Sequence, residues 1–304
     1  MRKKIFLAAI SFLFLYVFIS AQAEDETGLI VEHIDKNRFS CRYDGIKHNF
    51  ILDLPERTEG APLVVMLPGY GNTAESFRDT VHFELDANML GYAVVYVTGA
   101  RNPNDPLSSV GWNSGIGIEG NDDVSFLVSL AKYLQKEYSF DDSRTYAIGF
   151  SNGAFMVHRL AMEAGDIFPA CVSVAGLMPA KIWNERREAN DISFFQITGE
   201  KDDAIPQTGS GSAKYAKDPA IEDVMSYWAE SDGLDLCDCE ETENGALLTK
   251  CGSKEKPNQV WSLLIPNGRH SWPSVKMNGI DGNDLILEFL ESVSVSQKEA
   301  EKPL

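Results

Sequence analysis

The sequence predicts an α/β domain built on a mostly parallel β-sheet flanked by helices. From Asn49 onward, short apolar β-type runs alternate with helix-like stretches, and this order is typical of parallel strands joined by crossover helices. Several runs are apolar throughout, as expected for strands covered on both faces. A glycine-flanked serine, Ser151, lies between one such run and a helix-like stretch. Because the sequence shows neither an internal repeat nor an interdomain linker, we expect a single domain.

The N-terminal 23 residues have the pattern of a secretory signal peptide. Met1–Lys4 is basic, Ile5–Ile19 is apolar, and Ala21-Gln22-Ala23 supplies small residues at the two positions that a signal peptidase reads. We therefore predict cleavage before Glu24 and a secreted protein. The alternative is an uncleaved membrane anchor, since the apolar run is nearly long enough to span a bilayer. The predicted organisation is a signal peptide (1–23), a folded domain (24–295) and a polar tail (296–304).

The charge of the chain restricts its partners. The formal net charge at pH 7 is -18, and removal of the three basic residues of the signal peptide makes it -21. Such an acidic surface argues against nucleic acids and anionic membranes as partners. It is compatible with neutral or weakly charged substrates, and it carries no information on oligomeric state.

The predicted elements alternate along the chain. In the best-defined helix, apolar residues recur at three- and four-residue steps, and Asn121 or Asp122 can cap its start. The predicted strands are Asn49–Leu52, Leu63–Leu67, Ala93–Thr98, Thr145–Ile148, Ala170–Ala175, Ser193–Thr198 and Gln259–Ile265. The predicted helices are Asp122–Tyr138, Ala154–Met162, Pro219–Ser231 and Asn283–Leu290.

Two long segments are predicted to be loops. Gly99–Gly120 is rich in Pro, Asn and Gly, and Gly199–Lys217 is rich in Gly, Ser and Lys. Each follows a predicted strand, so both should lie at the carboxyl ends of the strands. Open α/β sheets bind their ligands at this edge.

The pentapeptide Gly149-Phe150-Ser151-Asn152-Gly153 matches the G-x-S-x-G pattern. In that motif a serine sits on a sharp turn between a strand and a helix, and the flanking glycines are needed because a Cβ there would collide with neighbouring backbone. The predicted strand before it and helix after it provide this context. Ser151 is therefore a candidate nucleophile, and the alternative is a glycine-rich turn whose serine does no chemistry.

A serine nucleophile needs a histidine base and an acid that orients the histidine. In the α/β-hydrolase fold these follow in the order Ser, Asp or Glu, His. His270, in the loop after Gln259–Ile265, is the candidate base, since three of the other four histidines precede Ser151 and the fourth follows it directly on the helix. Asp202 and Asp203, in the loop after Ser193–Thr198, are nearly equal candidates for the acid.

The oxyanion of the reaction intermediate needs two backbone donors. One candidate is the amide of Asn152, the residue after the candidate nucleophile. The other comes from the turn Pro68-Gly69-Tyr70-Gly71, where we favour the amide of Tyr70. The Tyr70 side chain has the alternative role of a lid over the pocket.

Two tryptophans are candidates for substrate recognition. Trp112-Asn113 lies in the first long loop and Trp272 lies two residues after His270. Exposed aromatic faces beside Ser151 would stack on an aromatic acid or a sugar. The alternative is that both tryptophans pack these loops in place.

All five cysteines follow the predicted signal peptide, where disulfides are permitted. We expect one small loop closed by either Cys239–Cys251 or Cys237–Cys251 within a polar, loop-like stretch. A zinc site made of these cysteines and His270 is the less favoured alternative, because the C-x-C spacing is unusual for zinc. Cys171 is expected to be a buried apolar residue. The remaining cysteine is Cys41.

The chain resembles the secreted esterases grouped with polyhydroxybutyrate depolymerases, feruloyl esterases and acetylxylan esterases. The resemblance runs from about Asn49 to Pro273. The chain differs from the family at two positions. Pro68 stands where the family usually has a histidine that braces the oxyanion loop, and Ala154 stands where a second glycine is usual. The motifs that carry it are Pro68-Gly69-Tyr70-Gly71-Asn72-Thr73-Ala74, Trp112-Asn113, Asp122-Asp123-Val124, Ser151-Asn152-Gly153, Gly199-x-x-Asp202-x-x-x-Pro206 and His270-Ser271-Trp272-Pro273.

The resemblance implies an α/β-hydrolase fold and a cofactor-free, metal-independent serine carboxylesterase. It implies Asp202 as the triad acid, and it supports a disulfide between Cys251 and either Cys237 or Cys239. A feruloyl or acetylxylan esterase acting on plant cell-wall esters is the first expectation, and a polyhydroxyalkanoate depolymerase or general short-chain esterase is the second. A secreted serine peptidase and a non-catalytic binding protein remain as more distant alternatives.

Overall fold

The computed structural model describes residues 27–116, 118–187, 191–208 and 217–300, the last six of these by backbone only. The predicted signal peptide lies outside these residues. Within them, no helix has the length and apolar character needed to cross a membrane.

An eleven-stranded sheet forms the centre of the described chain. Its strands are β1 (Ile30–Asp35), β2 (Arg38–Tyr43), β3 (Ile46–Asp53), β4 (Leu63–Leu67), β5 (Ala93–Val97), β8 (Thr145–Phe150), β9 (Ala170–Val174), β10 (Ser193–Gly199), β11 (Leu236–Glu241), β12 (Leu247–Gly252) and β13 (Val260–Ile265), and a separate pair is formed by β6 (Ala100–Arg101) and β7 (Val110–Gly111). The strand order in the sheet is β1-β2-β3-β5-β4-β8-β9-β10-β13-β12-β11. The six neighbouring strands β5, β4, β8, β9, β10 and β13 run parallel, and antiparallel strands extend the sheet at both edges.

Helices cover both faces of the sheet. They are α1 (Ala74–Val81), α2 (Phe83–Met89), α3 (Asp123–Tyr138), α4 (Asn152–Glu163), α5 (Ala180–Asn184), α6 (Ile221–Ser231), α7 (Val275–Asn278) and α8 (Gly282–Ala300). Alternate side chains of β4 enter two cores, with Val65 packed on the side of α3, α4 and α6 and Val64 on the side of α1, α2 and α8. This two-sided burial explains why the central strands are apolar throughout.

The α/β-hydrolase fold predicted from the sequence is confirmed, and all seven predicted strands and four predicted helices are present. The side chain of Asp122 caps α3 by accepting from the Ser125 amide at 3.1 Å. Helix α8 ends at Ala300 rather than at the predicted Leu290, so it includes part of the segment predicted as a polar tail.

The stretch around the cysteine cluster is a β-hairpin, not the loop that its polar composition predicts. Strands β11 and β12 pair antiparallel, and Cys237 lies opposite Cys251. These two residues form a disulfide, which selects one of the two expected pairings, and Cys239 is an exposed free thiol. Cys171 is buried, as expected, and Cys41 is buried as well.

Candidate active site

Ser151 lies on a strained turn between β8 and α4. Its backbone has φ 53° and ψ -116°, a conformation that L-residues rarely adopt and that is found at functional sites. A Cβ on Gly149 would lie 2.2 Å from the Gly153 carbonyl oxygen, and one on Gly153 would lie 2.0 Å from the Leu67 carbonyl oxygen. Both flanking glycines are therefore required for the turn, as the motif predicts.

His270 and Asp202 extend from Ser151 in a continuous hydrogen-bonded line. The Ser151 Oγ lies 2.9 Å from His270 Nε2, and His270 Nδ1 lies 2.8 Å from Asp202 Oδ2. With the proton on Nδ1 donated to the carboxylate, Nε2 is left to accept from the serine hydroxyl. The arrangement therefore provides a hydroxyl, a base in contact with it and an acid that fixes the tautomer of the base.

The loop after β10 separates the two candidate acids. The Asp202 side chain is 2% exposed, whereas that of Asp203 is 88% exposed and faces Arg269. The second carboxylate oxygen of Asp202, Oδ1, accepts from the amides of Ala204 at 2.9 Å and Ile205 at 2.7 Å. The carboxylate of Asp202 is thus held by its own loop while it contacts His270.

The histidine loop approaches the aspartate loop closely. A Cβ on Gly199 would lie 2.4 Å from the carbonyl oxygen of Gly268, and the Lys201 amide donates to that oxygen at 2.8 Å. This contact joins the ends of β10 and β13, which are neighbouring parallel strands. It places the side chains that follow them, Asp202 and His270, side by side.

Two backbone amides near the serine have no acceptor within the described part of the chain. Asn152 is the first residue of α4, where a helix leaves its N–H groups without an intrahelical partner. The Tyr70 amide donates to no acceptor among the described residues, whereas the Gly71 amide donates to the Val110 carbonyl at 2.8 Å. A Cβ on Gly69 would lie 3.3 Å from the Ser151 Cβ, so this turn approaches the serine closely.

The Tyr70 side chain is 45% exposed and is held at its hydroxyl end. The hydroxyl donates to Asp105 Oδ2 at 2.7 Å and accepts from Asn102 Nδ2 at 3.2 Å. These two partners belong to the long loop after β5. The hydroxyl end of the side chain is thus bound to this loop, while part of the side chain is exposed to solvent.

The expectation of exposed tryptophan faces is wrong. Trp112 is fully buried, and its Nε1–H donates to the Pro68 carbonyl at 3.0 Å. Trp272 is 9% exposed, packs edge-on against Phe77, and donates to Asn283. Both residues pack the loops in place, which was the alternative interpretation of their position.

Asn113 is likewise engaged within the protein. Its amide donates to Asp123 Oδ2 at 2.6 Å, its side chain donates to the Asn121 carbonyl at 2.7 Å, and its carbonyl accepts from Arg159 at 2.6 Å. These contacts anchor Asn113 within the protein, and its role as a substrate contact stays a prediction. The loop composition alone carried no sign of these contacts, because the partners Asp123 and Arg159 lie on α3 and α4 and Asn121 lies just before α3.

Sequence reasoning missed the side chain of Asn152 as a structural contact. Its Oδ1 accepts from the Trp112 amide at 2.8 Å, and its Nδ2 lies 3.2 Å from both the Trp112 carbonyl and the Ser114 hydroxyl. The motifs Trp112-Asn113, Asp122-Asp123-Val124 and Ser151-Asn152-Gly153 are each visible in the sequence. A single sequence does not show that these three motifs form one hydrogen-bonded cluster.

Asp123 is the strongly perturbed carboxyl of this cluster. Burial raises its pKa to about 6, opposed by the hydrogen bond from the Asn113 amide and by the charge of Arg159. A carboxyl whose pKa is higher in the folded than in the unfolded chain stabilises the fold at low pH, and this contribution disappears as the pH rises through the folded pKa. Below about pH 4 the contribution is complete, and above about pH 6 it is lost.

Asparagine cannot ionise at this position. We therefore expect the free energy of unfolding of Asp123→Asn to rise relative to that of the parent between pH 4 and pH 7. A shift of about two pKa units corresponds to about 3 kcal/mol in the difference between the two free energies of unfolding. Urea unfolding of both proteins at unit pH intervals measures this difference. A difference that is constant over the range would contradict the buried, proton-binding state of Asp123.

Comparisons with known proteins agree with the fold. The profile of the family described as esterase PHB depolymerase matches residues 49–209. NocK of Nocardia uniformis subsp. tsuyamanensis, whose name describes an esterase, is 27% identical over 242 residues, covering 72% of this chain and 67% of NocK. Feruloyl esterase B of Talaromyces funiculosus is 27% identical over 127 residues, or 41% of this chain and 35% of the fungal protein. The alignment thus spans about a third of that relative's length.

A solved structure supports the same fold. The acetyl xylan esterase from Aspergillus awamori superposes with a TM-score of 0.57 over 81% of this chain and 94% of that enzyme, at 13% sequence identity. At this identity the likeness concerns the fold. The family match covers more than half of the sequence and includes the glycine-flanked serine of the β8–α4 turn. The chain therefore belongs to the esterase PHB depolymerase family and is a carboxylic ester hydrolase.

Proposed function

We propose that the protein is a secreted serine carboxylesterase that works through an acyl-enzyme on Ser151. The observation that carries the proposal is the continuous line from Ser151 Oγ through His270 to Asp202, with distances of 2.9 and 2.8 Å. In the first step His270 Nε2 takes the serine proton while Oγ attacks the ester carbonyl, and His270 then returns that proton to the departing alcohol. Water, activated by the same histidine, releases the acid.

The proposed oxyanion site consists of the amides of Tyr70 and Asn152. Neither amide donates to an acceptor among the described residues, and the Asn152 amide lies at the positive end of the α4 dipole. Negative charge develops on the former carbonyl oxygen as the tetrahedral intermediate forms. Two preorganised donors stabilise that charge more than they stabilise the neutral ester, which is the condition for a higher rate.

For the substrate, we propose an ester of the feruloyl or acetylxylan type. The support is the similarity to feruloyl esterase B and the partly exposed ring of Tyr70 beside the proposed oxyanion turn. Trp112 and Trp272 are buried, whereas the Tyr70 side chain is 45% exposed and its ring is available for stacking. The acidic charge of the chain is compatible with a neutral glycan ester.

A polyhydroxyalkanoate or a simple aliphatic ester is the second candidate. Three apolar side chains are exposed in segments that adjoin the site residues in sequence, namely Leu107 (86%) in the long loop after β5 and Val275 (64%) and Met277 (62%) in α7. Leu107 follows the Asp105 that holds Tyr70, and Val275 lies shortly after His270. Such side chains suit contact with an apolar chain better than with a sugar.

A substrate panel tests the proposal. The mature chain is assayed with p-nitrophenyl acetate and butyrate, methyl ferulate, acetylated xylan, a hydroxybutyrate oligomer and a p-nitroanilide matched to the acetate. We expect the highest kcat/KM among natural esters for methyl ferulate or acetylated xylan. Preference for the hydroxybutyrate oligomer supports the second candidate, an anilide rate near the ester rate indicates a peptidase, and no turnover of any ester contradicts the proposed function.

The disulfide between Cys237 and Cys251 supports the proposal of export, because such bonds persist in oxidising compartments. Expression of the full chain with analysis of the culture medium and periplasm tests it. We expect a mature protein whose first residue is Glu24. A protein retained with residues 1–23 would favour the membrane anchor.

A further inference from the structure

Trp112 connects the two segments that carry the proposed oxyanion donors. Its indole Nε1–H donates to the Pro68 carbonyl at 3.0 Å, two residues before Tyr70. On the other side, its amide donates to Asn152 Oδ1 at 2.8 Å and its carbonyl accepts from Asn152 Nδ2 at 3.2 Å. Because Trp112 is fully buried, these hydrogen bonds do not compete with water.

The backbone after Trp112 is itself anchored. Asp123 accepts from the Asn113 amide at 2.6 Å, and Arg159 donates to the Asn113 carbonyl at 2.6 Å. Asp123 is in the first turn of α3, and Arg159 is in α4. The tryptophan is therefore held by elements of the helical layer and does not move freely with its loop.

The contact beside Trp112 has no spare room. A Cβ on Gly111 would lie 2.8 Å from Tyr70 Cδ2 and 2.9 Å from Asn152 Oδ1. The Tyr70 turn, the Gly111–Trp112 backbone and the start of α4 thus meet at one point. The space at this point is too small for a methyl group on Gly111.

We propose that Trp112 is a positioning residue that sets the separation between the amides of Tyr70 and Asn152. The proposal rests on the proposed function of these amides as the oxyanion site. Pro68 has no N–H and no polar side chain, so its carbonyl is the polar group through which the start of this turn is held. Since donors must already be in place when charge develops, losing this connection weakens binding of the tetrahedral intermediate and leaves ester binding nearly unchanged.

The test is Trp112→Phe, which keeps an aromatic ring and removes the indole N–H. Trp228→Phe is the matched control, because Trp228 is also fully buried, lies outside the site, and its Nε1 has no acceptor among the described residues. We expect Trp112→Phe to lower kcat by about 10- to 100-fold with KM within about 2-fold, which is less than the complete loss of an oxyanion donor. The control is expected to stay within about 3-fold of the parent in kcat.

Affinity for an alkylboronic acid, which forms a tetrahedral adduct on a nucleophilic serine, provides a second measurement. We expect the dissociation constant of Trp112→Phe to rise by the same factor by which kcat falls. A loss confined to KM, an equal loss in Trp228→Phe, or an unchanged boronate affinity would overturn the proposal. Asn152→Ala keeps its backbone amide, removes the other side of the connection, and is expected to show the same pattern. Should Trp112→Phe not fold, Asn152→Ala decides the question by the same criteria.

Ser151→Ala, assayed in parallel, separates this inference from the proposed function. Activity retained in Ser151→Ala refutes the proposed nucleophile and the inference with it. If Ser151→Ala is inactive and Trp112→Phe keeps the parental kcat, the positioning role of Trp112 is refuted and the proposed nucleophile is not.

Discussion

Ser151→Ala is expected to lower kcat by about 10^4- to 10^6-fold and to leave the protein folded, because triad members act as a unit. Ser151 holds φ 53° in the parent, and alanine has the same backbone preferences in that region. The substitution therefore removes the hydroxyl without changing the strain of the turn. Steady-state kinetics on an activated acetate ester measures the loss, and thermal unfolding checks the fold.

Labelling by a fluorophosphonate probe identifies the nucleophile independently of turnover. We expect the parent protein to react with the probe and Ser151→Ala to remain unlabelled. Ser271→Ala is the matched control, because it removes a serine hydroxyl from the residue that directly follows His270. Labelling of Ser151→Ala, or loss of labelling in Ser271→Ala, would place the nucleophile elsewhere.

Asp202→Asn is expected to lower kcat by about 10^4-fold through the tautomer of His270. Oδ1 of Asp202 accepts from the Ala204 and Ile205 amides, so an asparagine at this position turns its oxygen towards these donors. Its NH₂ group then faces His270 Nδ1, which must become the acceptor. The proton moves to Nε2, and the imidazole can no longer accept from Ser151.

Asp203→Asn is the matched control for this prediction. It lies one residue away, is 88% exposed at its side chain, and faces Arg269 at 3.4 Å. We expect its kcat to change by less than about 3-fold, since an exposed ion pair contributes little. Equal losses in the two variants would contradict the assignment of the acid, and so would a larger loss in Asp203→Asn.

The central sheet was predictable from the sequence because its strands are buried on both faces. Strand β4 was predicted with the bounds that the structure shows, Leu63–Leu67, since the run is apolar and is flanked by proline. The edge strands were not predictable in this way. Strand β11 is exposed along its whole length, so its pairing with β12 leaves no hydrophobic pattern to recognise.

In the candidate site, too, some features were predictable from the sequence and others were not. Ser151 was predicted from the G-x-S-x-G motif, and His270 from the order of the histidines along the chain. The position of the loop after β10 left Asp202 and Asp203 as candidates for the acid, and the family resemblance selected Asp202. The burial of Trp112 could not be predicted, because a Pro-, Asn- and Gly-rich loop gives no indication of the depth at which its tryptophan lies. That depth is set by Pro68 and Asn152, which are 44 and 40 residues away.

The placement of β13 has a consequence for the order in which the site matures during synthesis. Strand β13 pairs on one side with β10 and on the other with β12, so it enters the sheet between two strands that are translated before it. His270 follows this strand and lies 119 residues after Ser151. A nascent chain therefore contains Ser151 well before His270, and we expect the proposed triad to be incomplete until β13, the last of the parallel strands, has joined the sheet.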